Sequence, residues 1–224
     1  MATHLRDERT IMRTALMTST PAKKTATSSV ASDWRQKLPI LSGAGVTLRE
    51  MRTSDAPALL ALLTTEEVTR FISPPPTTLE GFERFIEWAG RERQEGRYLC
   101  FAVVPDGYET AVGLFQVRQL DQSFDTAEWG FAIGSAFWGT GLFTAGADLV
   151  IDFAFDVVGV HRLEARAAVE NERGNGALRK LGAVQEGVLR KSFLRGGRYL
   201  DQALWAILPT DRCYSKAVWG AKVH

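Results

Sequence analysis

The sequence predicts one mixed α/β (α+β) domain built on a mostly antiparallel sheet, and three observations carry that prediction. Between residues 98 and 133 three apolar segments follow one another with turn residues between them and no helical stretch, the pattern of a strand meander. Helical periodicity is confined to separate segments near 55–63, 78–89, 141–158 and 172–181, so helices punctuate the strands without forming a bundle. With 224 residues, 45% of them hydrophobic and no internal repeat, the chain is long enough to bury one sizeable core.

Taken in order, Val46-Thr47-Leu48-Arg49-Glu50 alternates as a strand does. Ser54 or Asp55 is placed to cap a helix carrying Leu59, Leu60, Leu62 and Leu63. Ser73-Pro74-Pro75-Pro76 breaks the chain, and Thr78 opens a second helix with Leu79, Phe82, Phe85, Ile86 and Ala89 at helical spacing. Strands at 98–104 and 111–119 are joined through Pro105-Asp106-Gly107, and a third covers 126–133. The strongest helix, 141–158, places Leu142, Gly146, Leu149, Val150, Phe153 and Val157 inward. Asp148, Asp152 and Asp156 make one stripe on it, read as its solvated face. A strand at 162–169, a helix at 172–181 ended by Gly182, and strands at 183–194 and 199–207 complete the order. Trp88, Trp129, Trp205 and Cys100 are read as core, and His161 as structural.

Residues 1–37 read as a disordered basic tail: seven Lys/Arg stand against three acids, and 17–32 is Ser/Thr/Ala/Lys-rich without apolar period. A mitochondrial presequence is the competing reading, interrupted by Pro21 and the Asp7-Glu8 pair; Met12 and Met17 are alternative starts. There is no secretory apolar segment and no run of about 20 apolar residues, so a cytoplasmic location with no membrane partner is expected. The remainder of the chain holds twenty Lys/Arg against twenty-three Asp/Glu, a charge of −3. That balance argues against a nucleic-acid partner and suits a neutral or cationic substrate. Two cysteines and three histidines, two of the latter near the chain ends, leave little material for a disulfide scaffold, a His-dependent triad or a zinc site. No metal is expected.

Chemistry concentrates at Ala136-Phe137-Trp138-Gly139-Thr140-Gly141-Leu142, where a strand hands over to the strongest helix. Two glycines one residue apart allow a tight turn, and the first helical turn adds unpaired amides at the positive end of the dipole. Together they make a phosphate-sized anion cradle without a lysine; a tight turn with no ligand is the alternative. A Walker loop needs Gly-Lys-Ser/Thr where Gly141-Leu142 stands, and a dinucleotide fingerprint needs a third glycine at Thr144.

These residues resemble the pyrophosphate motif of GNAT-superfamily acetyltransferases, Q/R-x-x-G-x-G/A, and Trp138-Gly139-Thr140-Gly141 is similar to its RimJ/RimL-type branch. Ala127-Glu128-Trp129-Gly130-Phe131-Ala132-Ile133, His161-Arg162-Leu163-Glu164-Ala165-Arg166, Asn171-Glu172-Arg173, Leu181-Gly182-Ala183 and Glu186-Gly187-Val188-Leu189-Arg190 extend the likeness over about 46–210, leaving 211–224 as a C-terminal tail. The resemblance implies a sheet with helices on both faces and acetyl-CoA as co-substrate. Its diphosphate would meet Trp138, Gly139, Thr140, Gly141, Leu142 and Phe143, and its pantetheine arm would run along Phe131, Ala132 and Ile133. Asn171 is either the cap of the following helix, a cofactor contact, or both. Residues 71–76, with Glu66 and Glu67, would build the acceptor wall. Three departures stand out: Ala136 fills the Q/R position, Gly174 replaces a frequent serine, and no tyrosine occurs between Asn171 and Gly182 to serve as general acid.

Acetyl transfer needs a neutral amine. At pH 7 an α-amine of pKa near 8 is about one-tenth neutral and a lysine about 0.04%, a difference of roughly 3 kcal/mol that favours a polypeptide α-amine as acceptor. Glu128, on one strand face with Gly130 and Ala132, is the candidate base, its pKa raised by partial burial; an exposed or capping glutamate is the alternative. Gly130 predicts a bulge or a close approach. A small-molecule amine (antibiotic, polyamine or amino-acid-like) and a non-catalytic acyl-CoA-binding module are the other readings. Oligomeric state stays open, a homodimer included.

Overall fold

The computed structural model describes residues 33–212. The strands are β1 (Leu41–Gly43), β2 (Val46–Glu50), β3 (Tyr98–Pro105), β4 (Gly113–Gln119), β5 (Thr126–Ile133), β6 (Arg162–Ala168), β7 (Val184–Arg195) and β8 (Arg198–Ile207). They form one sheet in the order β1-β2-β3-β4-β5-β6-β8-β7. Every neighbouring pair is antiparallel except β5 and β6. The helices are α1 (Ala56–Leu63), α2 (Glu66–Thr69), α3 (Leu79–Gln94), α4 (Leu142–Phe153) and α5 (Glu172–Lys180).

Strand alternation divides the side chains between two cores. Leu99, Phe101 and Val103 of β3, Phe115 and Val117 of β4 and Trp129 of β5 pack with Val150 and Ile151 of α4 and Leu178 of α5. On the other face Tyr98, Cys100, Ala102 and Leu114 pack with Leu59 and Leu63 of α1 and Phe82 and Ile86 of α3. Helices therefore cover both faces, as expected. Thr78 caps α3, its hydroxyl accepting the Gly81 amide at 3.0 Å. Gly182 ends α5, its amide bonded to Arg179 O at 3.1 Å and that of Ala183 to Leu178 O at 3.2 Å.

Several boundaries differ from the sequence reading. The expected tail falls outside the described residues up to 32, but Trp34 is buried against Phe124, with ring centroids 5.9 Å apart, and Leu38 joins the same core. The three-residue β1 is too short to show alternation. The 141–158 helix turns π-helical at Ala154–Val158 and leaves Val157 exposed. Its aspartate stripe is not merely wet: Arg212 donates to Asp148 at 2.5 Å and to Asp152 at 2.8 Å, so the C-terminal segment packs back on α4 at least to that residue. Trp88, expected in the core, is 40% exposed.

Asp55 does more than cap a helix. Its carboxylate accepts two bonds from Arg49 at 2.7 Å, the Arg52 amide at 2.8 Å and the Ala111 amide at 3.1 Å, joining β2, the start of α1 and the β3–β4 connection. Burial opposes its ionisation, yet these bonds outweigh burial and hold its pKa below the ordinary value. Asp55→Ala leaves a buried guanidinium unpaired and should cost roughly 3–5 kcal/mol in urea unfolding. Because the folded pKa is the lower one, the stabilisation is complete above the unfolded value of about 3.9 and is lost as pH falls through the folded value. The stability gap between wild type and Asp55→Asn should therefore narrow in acid; a gap independent of pH would refute this role.

Candidate active site

The parallel pairing of β5 and β6 lasts three residues, Thr126↔Arg162, Ala127↔Leu163 and Glu128↔Glu164. Beyond it β5 stays paired with β4 as far as Ile133↔Gly113, and β6 stays paired with β8 as far as Ala168↔Gln202. The two strands part, and a cleft of about 660 Å³ opens through the gap. One side is lined by Trp129, Phe131, Asn171, Gly174 and Leu178, the other by Tyr98, Gln116, Trp88, Phe85 and the Phe71–Pro76 segment.

Of the expected cofactor residues, Phe131 and Ala132 line this cleft, and the Phe131 ring lies 4.4 Å from that of Phe143 at the start of α4. Ile133 is buried, and its carbonyl accepts the Trp138 indole N–H at 2.9 Å. That bond pins the loop leading to α4 against the end of β5. Gly139 and Gly141 have φ of +78° and +87°, with nothing within 4 Å of where a Cβ would stand. The Thr140 hydroxyl braces their turn by donating to Phe137 O at 2.8 Å. Among the described residues the Gly139, Thr140 and Gly141 amides find no acceptor, and that of Leu142 reaches only Thr140 Oγ1 at 3.4 Å. The Leu142 side chain is core, so its contribution to the cradle is its amide. Open space and free amides at a helix start fit a diphosphate. Trp129 Nε1, buried with no partner among the described residues, is a further unused donor in a residue that lines the cleft.

Asn171 lines the cleft and caps α5: its Oδ1 accepts the Gly174 amide at 2.9 Å. A Cβ at Gly174 would stand 2.5 Å from Asn171 Nδ2, which explains the glycine by the cap itself. Gly130 is likewise a close approach and not a bulge: the β4–β5 register is unbroken, and a Cβ there would lie 3.1 Å from Gln116 Nε2.

Glu128 lies in the cleft with its side chain 17% exposed, but it is not alone. Arg118, its register partner on β4, holds Oε2 at 2.9 Å through Nε, and Arg166 of β6 holds Oε1 at 3.0 Å. Both arginines line the cleft, so the charge expected from the chain average is locally reversed. Glu66 and Glu67 are exposed and outside the lining.

Like Arg118 and Arg166, several other groups escaped the sequence reading. Tyr98 donates to Gln116 Oε1 at 2.5 Å, and burial, aided by Cys100 and opposed by Arg118, pushes its phenol well above the ordinary value, so it stays a donor. Burial likewise pushes the Cys100 thiol up to about 12. Arg173 of α5 stacks on Trp138, 4.4 Å from the ring centroid, bringing a cation beside the glycine loop. Asn175 donates to Ala168 O and Asn171 O at 2.9 Å and accepts from Trp205 at 2.9 Å, fixing α5 to the ends of β6 and β8. Arg195, near the β7–β8 turn, donates to Thr69 O at 2.9 Å and ties that hairpin to α2. Among the described residues no cluster of His, Cys, Asp or Glu is placed to hold a metal, and no helix is long and apolar enough to cross a membrane.

The Acetyltransferase (GNAT) domain family matches residues 46–184. The chain belongs to the GNAT acetyltransferases. Its relatives include the uncharacterized N-acetyltransferase p20 of Bacillus licheniformis, 27% identical over 167 residues that cover 74% of this chain and 94% of that protein. The spermidine N(1)-acetyltransferase of Escherichia coli K12 is 30% identical over 126 residues, 54% of this chain and 65% of that one. Mycobacterium smegmatis RimJ, solved with CoA-disulfide, superposes with a TM-score of 0.70 at 23% identity over 81% of this chain and 93% of its own, a likeness of fold. This GNAT protein is thus an N-acetyltransferase of a family that uses acetyl-CoA.

The fork fixes what Asn175 is worth. Asn175→Leu leaves the buried Trp205 indole without its acceptor, at about 1–3 kcal/mol, and removes side-chain hydrogen bonds to the Ala168 and Asn171 carbonyls, which keep backbone donors, at about 1 kcal/mol more. Urea unfolding should register a loss of roughly 2–4 kcal/mol. A variant as stable as wild type would show that α5 needs no such anchor.

Proposed function

We propose that this GNAT enzyme acetylates the α-amine of a polypeptide, in the manner of the RimJ/RimL-type branch, and does so in the cytoplasm. The observation that carries the reading is the cleft where β5 and β6 part, connected through the Phe131–Phe143 contact to the turn with unpaired Gly139, Thr140 and Gly141 amides and lined on its other side by aromatic rings. Acetyl-CoA, when bound, supplies an acetyl thioester: the amine nitrogen bonds to the acetyl carbon, the carbon–sulfur bond breaks, the nitrogen gives up a proton and the sulfur takes one.

The chain's own residues hold and align the reactants. The Gly139, Thr140, Gly141 and Leu142 amides receive the diphosphate, with Trp138 and Phe143 packing the loop beneath it. Arg173 supplies from α5 the side-chain cation that Ala136 lacks, leaving the Trp138 ring for the phosphates. Phe131, Ala132 and Ile133 border the pantetheine path, and Asn171 keeps its Nδ2 donor for the same arm. Glu128 takes the proton of the incoming ammonium, directly or through water. Two guanidinium partners use part of a carboxylate's roughly four acceptor sites and leave capacity for that proton.

Thiol release in the presence of acetyl-CoA and a short peptide with a free α-amine, set against the same peptide N-acetylated but carrying lysine, tests the reading. Faster release from the lysine peptide would overturn it. Glu128→Gln should lower turnover well over tenfold while the calorimetric Kd for acetyl-CoA changes little; unchanged turnover removes Glu128 from proton transfer, and a weakened Kd makes it a rivet of the fork.

The diphosphate contacts are tested by binding alone. Arg173→Ala should weaken acetyl-CoA roughly tenfold, the size of one charge-assisted hydrogen bond, and leave S-acetylpantetheine, which has no phosphate, unaffected. Gly141→Val, forced to a positive φ, should weaken acetyl-CoA at least as much. Equal affinities throughout would show that the loop does not bind the diphosphate.

A further inference from the structure

The acceptor half of the cleft has a distinct chemistry. Phe85 and Trp88 project from α3 with ring centroids 6.0 Å apart, and Trp88 stands 4.9 Å from Tyr98 of β3. Leu63, Phe71, Phe82 and Pro74–Pro76 extend this surface. Trp88 remains 40% exposed, a large apolar face left open beside the cleft, while Phe82 and Tyr98 next to it are buried. The Tyr98–Gln116 pair, set against Gly130 where β5 parts from β6, adds an uncharged polar group, as does Ser73.

The charged lining is Arg118, Arg166 and Glu128, and both oxygens of the one carboxylate are engaged by the two arginines. A polyamine brings several ammonium groups and needs several free carboxylates to replace their hydration. This cleft repels such a ligand, although one named relative is a spermidine acetyltransferase. An amine beside a large apolar group meets the opposite conditions: one ammonium directed to the fork, and an apolar body for the Phe85–Trp88–Tyr98 wall.

We infer that the acceptor amine is borne next to a bulky apolar side chain, so that the enzyme selects polypeptides whose first residue is aromatic or large aliphatic, with Trp88 as the specificity-determining residue. The inference rests on the acetyltransferase reading of the same cleft and deepens it. Selection by burial of such a side chain is worth tenfold or more in kcat/KM, since a single methylene already discriminates about 10–200-fold.

The test measures kcat/KM by thiol release for peptides that differ only in their first residue (Phe, Leu, Ala or Asp), with spermidine and phenethylamine beside them. Phe- and Leu-first peptides should exceed Ala- and Asp-first peptides at least tenfold, with spermidine the poorest. Trp88→Ala should reduce the Phe-over-Ala ratio to about threefold or less through KM, and Trp88→Phe should restore most of it. Calorimetry with acetyl-CoA verifies that each variant retains the folded cofactor site. Equal use of all peptides, a preference for Ala, Asp or spermidine, or an unchanged ratio in Trp88→Ala would overturn the inference while leaving the enzyme an acetyltransferase. Phenethylamine outpacing the Phe-first peptide would support the apolar site and reject the polypeptide acceptor. Acetyl-CoA binding without thiol release from any of these amines would overturn both readings.

Discussion

The candidate site of this molecule depends on two strands that stop pairing. A parallel pair inside a sheet ordinarily continues as a ladder, because a buried backbone group without a partner costs free energy comparable to a lost hydrogen bond. Here β5 and β6 share three residue pairs and then separate, each kept in the sheet by its outer neighbour. The inner edges of Trp129–Ala132 and Ala165–Ala167 face a cleft in place of each other. A backbone edge opened in this way is suited to an extended ligand arm, which can replace the missing strand in part.

Such a fork closes or spreads unless both limbs are held, and the structure holds each one. The β5 limb carries Phe131 against Phe143 and offers its last carbonyl to Trp138, so the strand end and the glycine turn move as one unit. On the β6 side the chain end is tied through Asn175, whose bonds reach the 168–171 turn and Trp205 of β8. At the point of divergence Glu128 of β5 meets Arg166, two residues beyond the last paired position on β6. Arg173 and Trp138 bridge the two limbs from the outside. The bridge is a surface contact of modest energy, of the order of 0.5–1 kcal/mol, and so the weakest of the ties that hold the fork.

The sequence made the scaffold legible wherever one residue type has one physical use. Thr78 before an apolar period, Gly182 after one and paired glycines before the strongest helix each predict a local geometry that the structure contains. Register was harder to read. Arg118 and Glu128 face each other because β4 and β5 form a regular hairpin, and fixing its turn would have exposed the pair. No local pattern announces that Tyr98 and Gln116 meet above Gly130, or that Arg173 reaches Trp138 from an element 35 residues away in the chain. Gly174 and Gly130 were noticeable as misfits of propensity, but their explanation lies in side chains, Asn171 and Gln116, that only the fold brings close.

Charge shows the same lesson at the level of function. The body of the chain is mildly acidic, and that average favours a cationic substrate. Yet the cleft places two arginines around one glutamate and surrounds them with aromatic rings. Within a desolvated cleft a ligand responds to the few charges within several ångströms, because screening reduces the distant ones over about 8–10 Å. The aspartates that tilt the average include Asp148 and Asp152, which face Arg212, and Asp55, which is sealed by Arg49. None of the three lines the cleft. On the proposed reading, acceptor choice rests on the fork and its aromatic wall, and these aspartates contribute to the net charge from outside the cleft.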